Sequence, residues 1–458
     1  MQRRKAYPCA KKPNHPETKI VTLCRNVFPS GKCFHYAYHR SAPTETTQVM
    51  PYHVMSVVLA TAFAFFVVQP AAAQIRLAGI TEGRGPGATA GQSLKSGYLM
   101  AIDEINAKGG VLGQKLELTQ FDIDTSPSAA EEATRKALVA KPFAVLGPQF
   151  SGITAASMKF TADPAVPQFT GGEAASLTRR FHPALLRTSL SQSGSMPRLG
   201  ALATFGLGAQ NVGLIWIDND FGRDGRDALL ASFKRRSTVV GFDGSVKPAQ
   251  TDCSQVVAAL IAARVDTLLL YATESESVEV LKELRKQGFD KPIVSDGLVA
   301  APKVVEAAAG AAEGVLVHMN NSVDAPSAQM QAFVKRYEAR YGHRPDLNGI
   351  KGYFAVQLVK AGLQVTGEVD QATFLKTVHN TRFEASRFPD LLGSVAYDFF
   401  GDLNRASYFA VIRNGRPQIV ATISALEGGM VELPNGQLIT LNSTEFRREL
   451  AGMVAARR

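Results

Sequence analysis

The sequence is poor in cysteine, which limits how the chain can be stabilised. Three of its four cysteines, Cys9, Cys24 and Cys33, precede residue 50, and their spacing contains no Cys-x-x-Cys pair. That spacing argues against a zinc site. The remaining cysteine, Cys253, lies in an apolar helical pattern and is expected to pack in a core. The rest of the chain therefore has no disulfide and depends on its hydrophobic cores.

Catalytic and phosphate-binding signatures are also missing. The sequence contains no Gly-x-Ser-x-Gly, no His-Glu-x-x-His and no Gly-x-x-x-x-Gly-Lys-Ser/Thr motif. The histidines beyond residue 73 are scattered singly along the chain. We therefore expect a chain that binds without catalysing a reaction, and we assign it no cofactor and no metal ion.

The excess of positive charge belongs to the first part of the chain. The formal net charge is +10, but residues 1–49 contain nine Lys and Arg residues against two Glu residues, which leaves +3 for the rest. Because the excess charge lies in residues 1–49, it does not indicate a nucleic-acid-binding surface on the rest of the chain. We therefore predict no nucleic-acid partner. We interpret residues 1–49 as a non-native or disordered N-terminal extension.

No apolar run reaches the roughly 20 residues of a comfortable membrane span. The run at 57–68 is short and is followed by three alanines, which end at Ala73. This order is typical of a secretory signal peptide. We predict that residues 50–73 are such a peptide, cleaved near Ala73, and that the mature chain is periplasmic. Because the positively charged start of this segment is weak, an uncleaved membrane anchor stays open as the alternative.

Beyond the predicted signal peptide, strand and helix patterns alternate. They run to about Thr170 and resume after Ser189, which predicts two parallel sheets with helices on both faces. Three later helices follow one another without strands between them, and such helices must cover a sheet built earlier. Late strands begin near Val395, and residues 424–458 form a tail that is predicted to end in a helix.

One turn has the geometry of an anion site. The strand that ends at Leu146 is followed by a polar turn, which opens a helix. The first N–H groups of a helix lack intrahelical partners, and the helix dipole favours an anion there. Since the hydroxyl groups of Ser151 and Thr154 can donate to the same point, we predict a carboxylate site. A turn that caps the helix and binds nothing is the alternative.

Several segments together resemble the substrate-binding proteins of branched-chain amino acid ABC transporters, of the leucine/isoleucine/valine-binding type. These segments are AIDEINAKGGVLG at 101–113, GPQFSGIT at 147–154, IDNDFG at 217–222, GF at 288–289 and AEGV at 312–315. The resemblance implies a type I periplasmic binding protein, an α/β fold of two Rossmann-like lobes with parallel sheets joined by a three-crossover hinge. It also implies a small-molecule ligand between the lobes and an inner-membrane ABC permease as partner.

The resemblance covers nearly all of residues 75–423 and places the crossovers near Ser189, Asn321 and Ser394. The lobes it implies are, first, residues 74–189 with 321–393 and, second, residues 190–320 with 394–423. The ligand-binding residues it implies are Ser151, Thr154, Gly172, Glu173, Phe221, Thr273 and Asp296.

Two of these positions depart from the family pattern. Glu173 replaces a hydroxyl residue, and Phe221 has no hydroxyl where tyrosine is common. Asp296 matches the acidic residue that pairs with the ligand's ammonium group. We therefore expect a periplasmic receptor for a small amino acid or a related carboxylate. The alternative is a ligand-sensing receptor or regulator of the same fold that binds an amide or a carboxylate other than an amino acid.

Overall fold

The computed structural model describes residues 74–180, 182–424 and 429–455. These residues form two α/β lobes, and each lobe has hydrophobic clusters on both faces of its own sheet. The alternating pattern predicted this arrangement. The N-terminal extension, signal peptide and cleavage site predicted for residues 1–73 lie outside the described residues and stay predictions.

The first lobe is built on a sheet of five parallel strands. They are β1 (Ile75–Arg84), β2 (Leu116–Asp124), β3 (Ala144–Leu146), β4 (Gln168–Thr170) and β5 (Leu185–Arg187). Their order in the sheet is β2-β1-β3-β4-β5, and Ala78 of β1 lies opposite both Thr119 and Val145. Strands β3 to β5 are entirely buried, as expected for a parallel sheet that is covered on both faces.

The second lobe is built on a larger, mixed sheet. Its parallel strands are β6 (Asn211–Ile217), β7 (Val239–Val246), β8 (Thr267–Tyr271), β9 (Ile293–Asp296) and β10 (Leu316–Met319). After a separate hairpin of β11 (Val395–Tyr397) and β12 (Leu403–Arg405), the antiparallel strands are β13 (Ser407–Arg413), β14 (Arg416–Ile423), β15 (Met430–Glu432) and β16 (Leu438–Thr440). The order in the sheet is β16-β15-β14-β13-β10-β9-β8-β6-β7.

Helices cover both sheets. The described residues contain α1 (Ala88–Ala107), α2 (Pro127–Val139), α3 (Ser151–Thr161), α4 (Gln192–Ala201), α5 (Asp220–Arg236), α6 (Ser254–Ala262), α7 (Glu274–Lys286), α8 (Pro302–Ala307), α9 (Ala328–Tyr341), α10 (Leu347–Thr366), α11 (Gln371–Asn380) and α12 (Thr444–Ala455). Helices α9 to α11 place Phe333, Tyr353 and Phe374 in the core of the first lobe. The chain thus returns to the first lobe, as the run of late helices predicted.

The turn before α5 shows how the sequence fixes a helix start beside the cleft. The side chain of Asn219 accepts a hydrogen bond of 2.9 Å from the N–H of Gly222 and so caps the helix. A Cβ atom at Gly222 would lie 1.7 Å from the carbonyl oxygen of Ile217. Glycine is therefore required at this position, where the helix passes directly over the end of β6.

The segment predicted as a tail is part of the second lobe where it is described. Strands β15 and β16 extend the second sheet, with Val431 paired opposite Ile439. Helix α12 begins at Thr444, in the tail that was predicted to end in a helix, and packs Phe446 and Leu450 into the same core. The apolar residues of this segment cover that core, so the described part of the segment belongs to the folded second lobe.

The third crossover lies later than the sequence predicted. Val395, Tyr397 and Leu403 of the β11–β12 hairpin pack in the core of the first lobe, although residues from 394 onwards were assigned to the second. The chain crosses between β12 and β13, since Phe409 belongs to the second core. The hairpin was misplaced because periodicity identifies a strand but does not identify the core that the strand covers.

Two element boundaries also differ. The sequence pattern predicts the first helix from about Gln92, but α1 begins four residues earlier, at Ala88, directly after Gly87. Strand β5 was not recognised from the sequence; its three residues are too few to show a period. The pair Asn414-Gly415 is typical of a hairpin turn, and the structure has positive φ angles at both residues and β13 and β14 paired across them.

The close contact between α1 and α10 generates a prediction about stability. A Cβ atom at Gly352 would lie 1.9 Å from the carbonyl oxygen of Leu94. The substitution Gly352→Ala should therefore push the two helices apart and lower the free energy of unfolding by roughly 1–3 kcal/mol, as measured by urea denaturation.

A matched control is Gly452→Ala in α12, where the new Cβ atom meets nothing within 4 Å. This change should leave stability unaltered or raise it by about 0.5–1 kcal/mol, because alanine is the better helix former. Equal effects of the two substitutions would show that the contact between α1 and α10 does not limit stability.

Candidate functional site

A cleft of about 1440 Å³ lies between the two lobes. The first lobe contributes the start of α3, and the second lobe contributes the starts of α5 and α7. A second and much smaller cavity lies between residues of β9, β10 and the first lobe. Of the predicted site residues, Ser151, Phe221 and Thr273 line the cleft, and Glu173 and Asp296 line the smaller cavity. Thr154 and Gly172 line neither of the two.

Ser151 is the first residue of α3 and faces the cleft at the helix N-terminus. Its Oγ accepts two hydrogen bonds of 3.1 Å, from the backbone N–H groups of Glu173 and Ala174. A hydroxyl group has two lone pairs and one hydrogen, so the Ser151 hydrogen stays free to be donated elsewhere. No side chain caps this helix start, so the first N–H groups of α3 have no side-chain acceptor at the helix N-cap.

Thr154 has a different position from the one predicted. Its side chain is fully buried beneath the turn, with Oγ1 2.7 Å from Oγ1 of Thr170 and 3.3 Å from the carbonyl oxygen of Pro148. The predicted second hydroxyl donor therefore holds the turn in place and does not line the cleft. Its contact with Thr170 of β4 places Thr154 on the side of α3 that packs against the sheet.

The loop at Gly172 is held by a buried arginine that the sequence did not single out. Arg187 donates to the carbonyl oxygen of Gly172 at 2.8 Å and to that of Ala174 at 2.7 Å. Its Nε is 2.5 Å from a carboxylate oxygen of Asp402. Gly172 thus contributes backbone atoms to this loop, and the hydrogen bond from the Arg187 guanidinium group fixes its position.

Glu173 forms a buried ion pair with a residue that was also missed. Lys351 of α10 lies 2.8 Å from Oε1 of Glu173, and the same oxygen accepts a bond of 2.9 Å from Ser189. The Lys351 side chain is 3% exposed and also donates to the carbonyl oxygen of Gly171 at 3.2 Å. In the sequence, the one sign of this ion pair was the position of Lys351, a charged residue inside the mostly apolar pattern of a predicted helix.

Asp296 faces the same small cavity from the second lobe. It is 6% exposed, and its Oδ1 accepts a bond of 3.2 Å from the N–H of Leu298. Burial raises the pKa of this carboxyl group well above its ordinary range, and the charge of Glu173 raises it further, while Lys351 acts in the opposite direction. The structure therefore brings Asp296 and Glu173 together at the smaller cavity.

Phe221 supplies an aromatic wall. Its ring stacks on that of Tyr271 with 4.5 Å between the ring centres, at an angle of 23°. Gln192 joins the two residues, because its Nε2 donates to the carbonyl oxygen of Phe221 and to the Tyr271 hydroxyl. This wall is preformed and mostly apolar, which suits the uncharged part of a ligand.

Thr273 lies at the mouth of the cleft, where its hydroxyl is already engaged. It precedes α7 and donates to the carboxylate of Glu276. The next residue, Glu274, also lines the cleft, and burial raises the pKa of its carboxyl group, as does the charge of Asp346 across the cleft. The second lobe thus presents acidic groups to the cleft at this point.

Glu82, near the end of β1, supports the turn before α3. Its carboxylate accepts hydrogen bonds of 3.1 Å from the backbone N–H groups of Gln149 and Phe150. Burial raises the pKa of Glu82 to about 7, and these backbone bonds lower it in part. The turn therefore rests on an internal carboxyl group whose charge changes near neutral pH.

No group of three or more His, Cys, Asp or Glu side chains in the described residues could hold a metal ion. Among the helices of residues 74–180, 182–424 and 429–455, none has the length and hydrophobicity that a membrane span needs.

Comparison with known proteins gives consistent matches. The model of the periplasmic binding protein family matches residues 74–417. The chain is similar to the Leu/Ile/Val-binding protein of Escherichia coli strain K12, with 25% identity over 338 residues that cover 72% of this chain and 89% of that protein.

Two solved structures have similar folds. A leucine binding protein from Thermotoga maritima MSB8 has a TM-score of 0.69 and 20% identity, covering 76% of this chain and 99% of that one. A solute binding protein of an ABC transporter from R. palustris, in complex with benzoate, has a TM-score of 0.69 and 19% identity, covering 77% and 97% of the two chains. At these identities the likeness shows the fold alone.

The position of Glu82 generates a prediction about pH. Because the pKa of Glu82 is about 7 in the folded protein and its ordinary value is 4.5, the folded state binds the proton more tightly than the unfolded chain. Native stability should fall as pH rises through this window. The free energy of unfolding of Glu82→Gln, relative to the unchanged protein, should rise by about 2–3 kcal/mol between pH 5 and pH 8.

Urea denaturation at several pH values measures this difference. Glu132→Gln is a suitable control, because Glu132 is an exposed partner of Lys136 on the surface of α2. Parallel pH profiles for Glu82→Gln and the unchanged protein would show that Glu82 does not titrate in this range.

Proposed function

The chain belongs to the periplasmic binding protein family, and we propose that it captures a small amino acid or a related carboxylate between its two lobes and delivers it to an ABC permease. The family match confirms the predicted type I fold of two lobes. The proteins of this family are solute-binding receptors, so the function is binding and release of a solute.

One observation carries the proposal for this class of ligand. The cleft has an uncapped helix start with the Ser151 hydroxyl on one lobe and the Phe221 ring on the other, and the acidic side chain of Asp296 lines the smaller cavity between the lobes. A carboxylate fits the first wall, because N–H groups and the helix dipole favour an anion. The other groups of the ligand then face the second lobe.

The cleft geometry supports a hinge mechanism. A solute that touches both lobes binds the closed form more tightly than the open form, and it stabilises closure by that difference in affinity. The three crossovers, which follow β5, β10 and β12, connect the lobes and provide the hinge. We propose Ser151, Gly172, Glu173, Phe221 and Asp296 as ligand-binding residues, with Thr154 and Thr273 holding the walls.

Export to the periplasm is part of the proposal. The family match begins at residue 74, immediately after the predicted cleavage site. Amino-acid and aromatic carboxylate ligands both occur among the similar proteins, since one is a Leu/Ile/Val-binding protein and another was solved with benzoate. Both classes carry a carboxylate, which is the group that the Ser151 turn fits.

The experiment that tests this function is thermal unfolding against a panel of amino acids, aromatic and aliphatic carboxylates, and amides. A ligand present at about 100 times its Kd should add roughly 2.7 kcal/mol of apparent stability. Stabilisation by an amino acid or another carboxylate supports the proposal. Stabilisation by amides alone would favour the alternative of an amide-sensing receptor of the same fold, and no stabilisation by any compound contradicts both.

A substitution at the turn tests the placement of the carboxylate. Ser151→Ala should weaken binding of the carboxylate ligand by about 10-fold or more, because it removes the free hydroxyl donor and leaves the N–H groups of Glu173 and Ala174 without their acceptor. Isothermal titration calorimetry measures the change in Kd.

The matched control is Ser157→Ala on the same helix. Ser157 is buried and bonds to Thr134 and Gln168, away from the cleft. It should lower stability by about 1–3 kcal/mol and leave Kd unchanged. Equal losses of affinity in both variants would place the carboxylate elsewhere.

A further inference from the structure

The loop at residues 173–176 bonds to both lobes through successive backbone N–H groups. The first two of these groups donate to Ser151 of the first lobe. The third donates to Oε1 of Gln192 at 3.2 Å, and the fourth, which belongs to Ser176, donates to Oδ2 of Asp224 at 2.8 Å. Gln192 and Asp224 lie on α4 and α5 of the second lobe. The loop therefore joins the Ser151 turn directly to two helices of the other lobe.

Gln192 lies at the hinge end of this connection. It is the first residue of α4, which follows the first crossover, and it is buried. Its backbone N–H donates to the carbonyl oxygen of Glu173 at 2.9 Å, and its side-chain Nε2 donates to Phe221 and Tyr271. Because a hinge rotation moves residues near the crossovers least, we expect these bonds to persist when the lobes separate.

Asp224 lies at the cleft end of the connection. It is one helical turn beyond Phe221, which lines the cleft, but Asp224 itself lines neither cavity. The one described hydrogen bond of its side chain comes from the N–H of Ser176. A carboxylate is a stronger acceptor than a neutral group, so this bond contributes more than the neutral one at Gln192.

Both ends of the bond between Ser176 and Asp224 are fixed to their own lobes. In the first lobe, the guanidinium group of Arg187 holds the carbonyl oxygen two residues before Ser176. In the second lobe, α5 packs directly against the sheet, since a Cβ atom at Gly225 would lie 2.1 Å from the ring of Tyr271. A rotation that separates the lobes therefore breaks this bond, and closure forms it.

We propose that the bond from Ser176 to Asp224 is a latch of the closed form, and that Asp224 thereby sets the affinity of the receptor for every solute that it captures. Asp224 is a positioning residue, because it acts on the loop of the first lobe and touches no solute. The inference rests on the proposed function, since it concerns the closure by which the solute is captured.

The latch changes affinity without changing selectivity. A solute binds the closed form, so its apparent Kd equals the intrinsic Kd divided by the fraction of protein that is closed. That fraction belongs to the protein and is the same for every solute. Loss of the latch should therefore raise every apparent Kd by one common factor, whereas loss of a residue that contacts the solute changes some Kd values more than others.

Isothermal titration calorimetry with the three compounds of the panel that bind most tightly tests the latch. Asp224→Ala removes the acceptor and should raise all three Kd values by one common factor of about 5- to 10-fold. Asp224→Asn keeps an acceptor oxygen and should restore the affinity to within about twofold of the unchanged protein. The ratios among the three Kd values should stay constant in both variants.

Asp227→Ala is the matched control for this substitution. Asp227 lies on the same helix, one turn further on, and pairs with Arg226 at the surface. Its Kd values should equal those of the unchanged protein. Both alanine variants should also keep the Tm of the unchanged protein, because water can hydrate the partly exposed N–H of Ser176 once its acceptor is removed.

The distance between the lobes tests closure without any solute. Spin labels at Lys136→Cys on α2 and Lys286→Cys on α7 report on the two lobes, since these lysine side chains are 63% and 74% exposed. The native Cys253 is buried and stays unlabelled. Double electron–electron resonance should show a smaller closed fraction in Asp224→Ala than in the unchanged protein, reduced by the same factor as the affinity.

The latch is overturned if Asp224→Ala keeps the Kd values of the unchanged protein, alters the ratios among the three compounds, loses affinity together with a lower Tm, or leaves the distances between the lobes unchanged. In each of these cases the compounds still bind, and the proposed function stands. If no compound binds to the unchanged protein, the proposed function fails instead, and the distance measurement alone decides whether the latch exists.

Discussion

A buried guanidinium group at the end of β5 holds together the first-lobe wall of the cleft. Each of the three nitrogens of Arg187 has a partner, in the carbonyl oxygens of Gly172 and Ala174 and the carboxylate of Asp402. Such a charge is tolerated inside a protein because its donors are satisfied. The loop that it fixes points the N–H groups of Glu173 and Ala174 at Ser151, so both ends of this wall depend on one side chain.

Three carboxyl groups beside the ligand region are stabilised in three ways. Glu82 accepts backbone N–H bonds, Glu173 pairs with Lys351, and Asp296 receives one N–H bond from Leu298. The first two belong to the first lobe and are satisfied within it. Asp296 belongs to the second lobe and is the least compensated of the three, because its one described partner is a backbone N–H.

Much of the fold could be predicted from the sequence, because the alternation of strands and helices repeats over many residues and the late helices have no strands of their own to cover. Ser151 was predicted from the polar turn after a strand, since the carboxyl ends of parallel strands meet at one edge, whereas Phe221 and Asp296 were implied by the resemblance to the family. The hairpin at Val395 and the segment after residue 424 were assigned wrongly or not at all. Their apolar residues fit either core, and the choice between the cores depends on contacts far away in the chain.

The sequence by itself determined the local features of this protein, which are the strand and helix periods, the capped helix starts and the uncapped turn at Ser151. Only the tertiary structure decided which buried charges meet. Glu173 and Lys351 are 178 positions apart, and Arg187 and Asp402 are 215 apart. Helix and strand periods arise from bonds between near neighbours and can be read from short windows. A buried charge needs a partner, but the distant element that supplies this partner is set by how the whole chain packs.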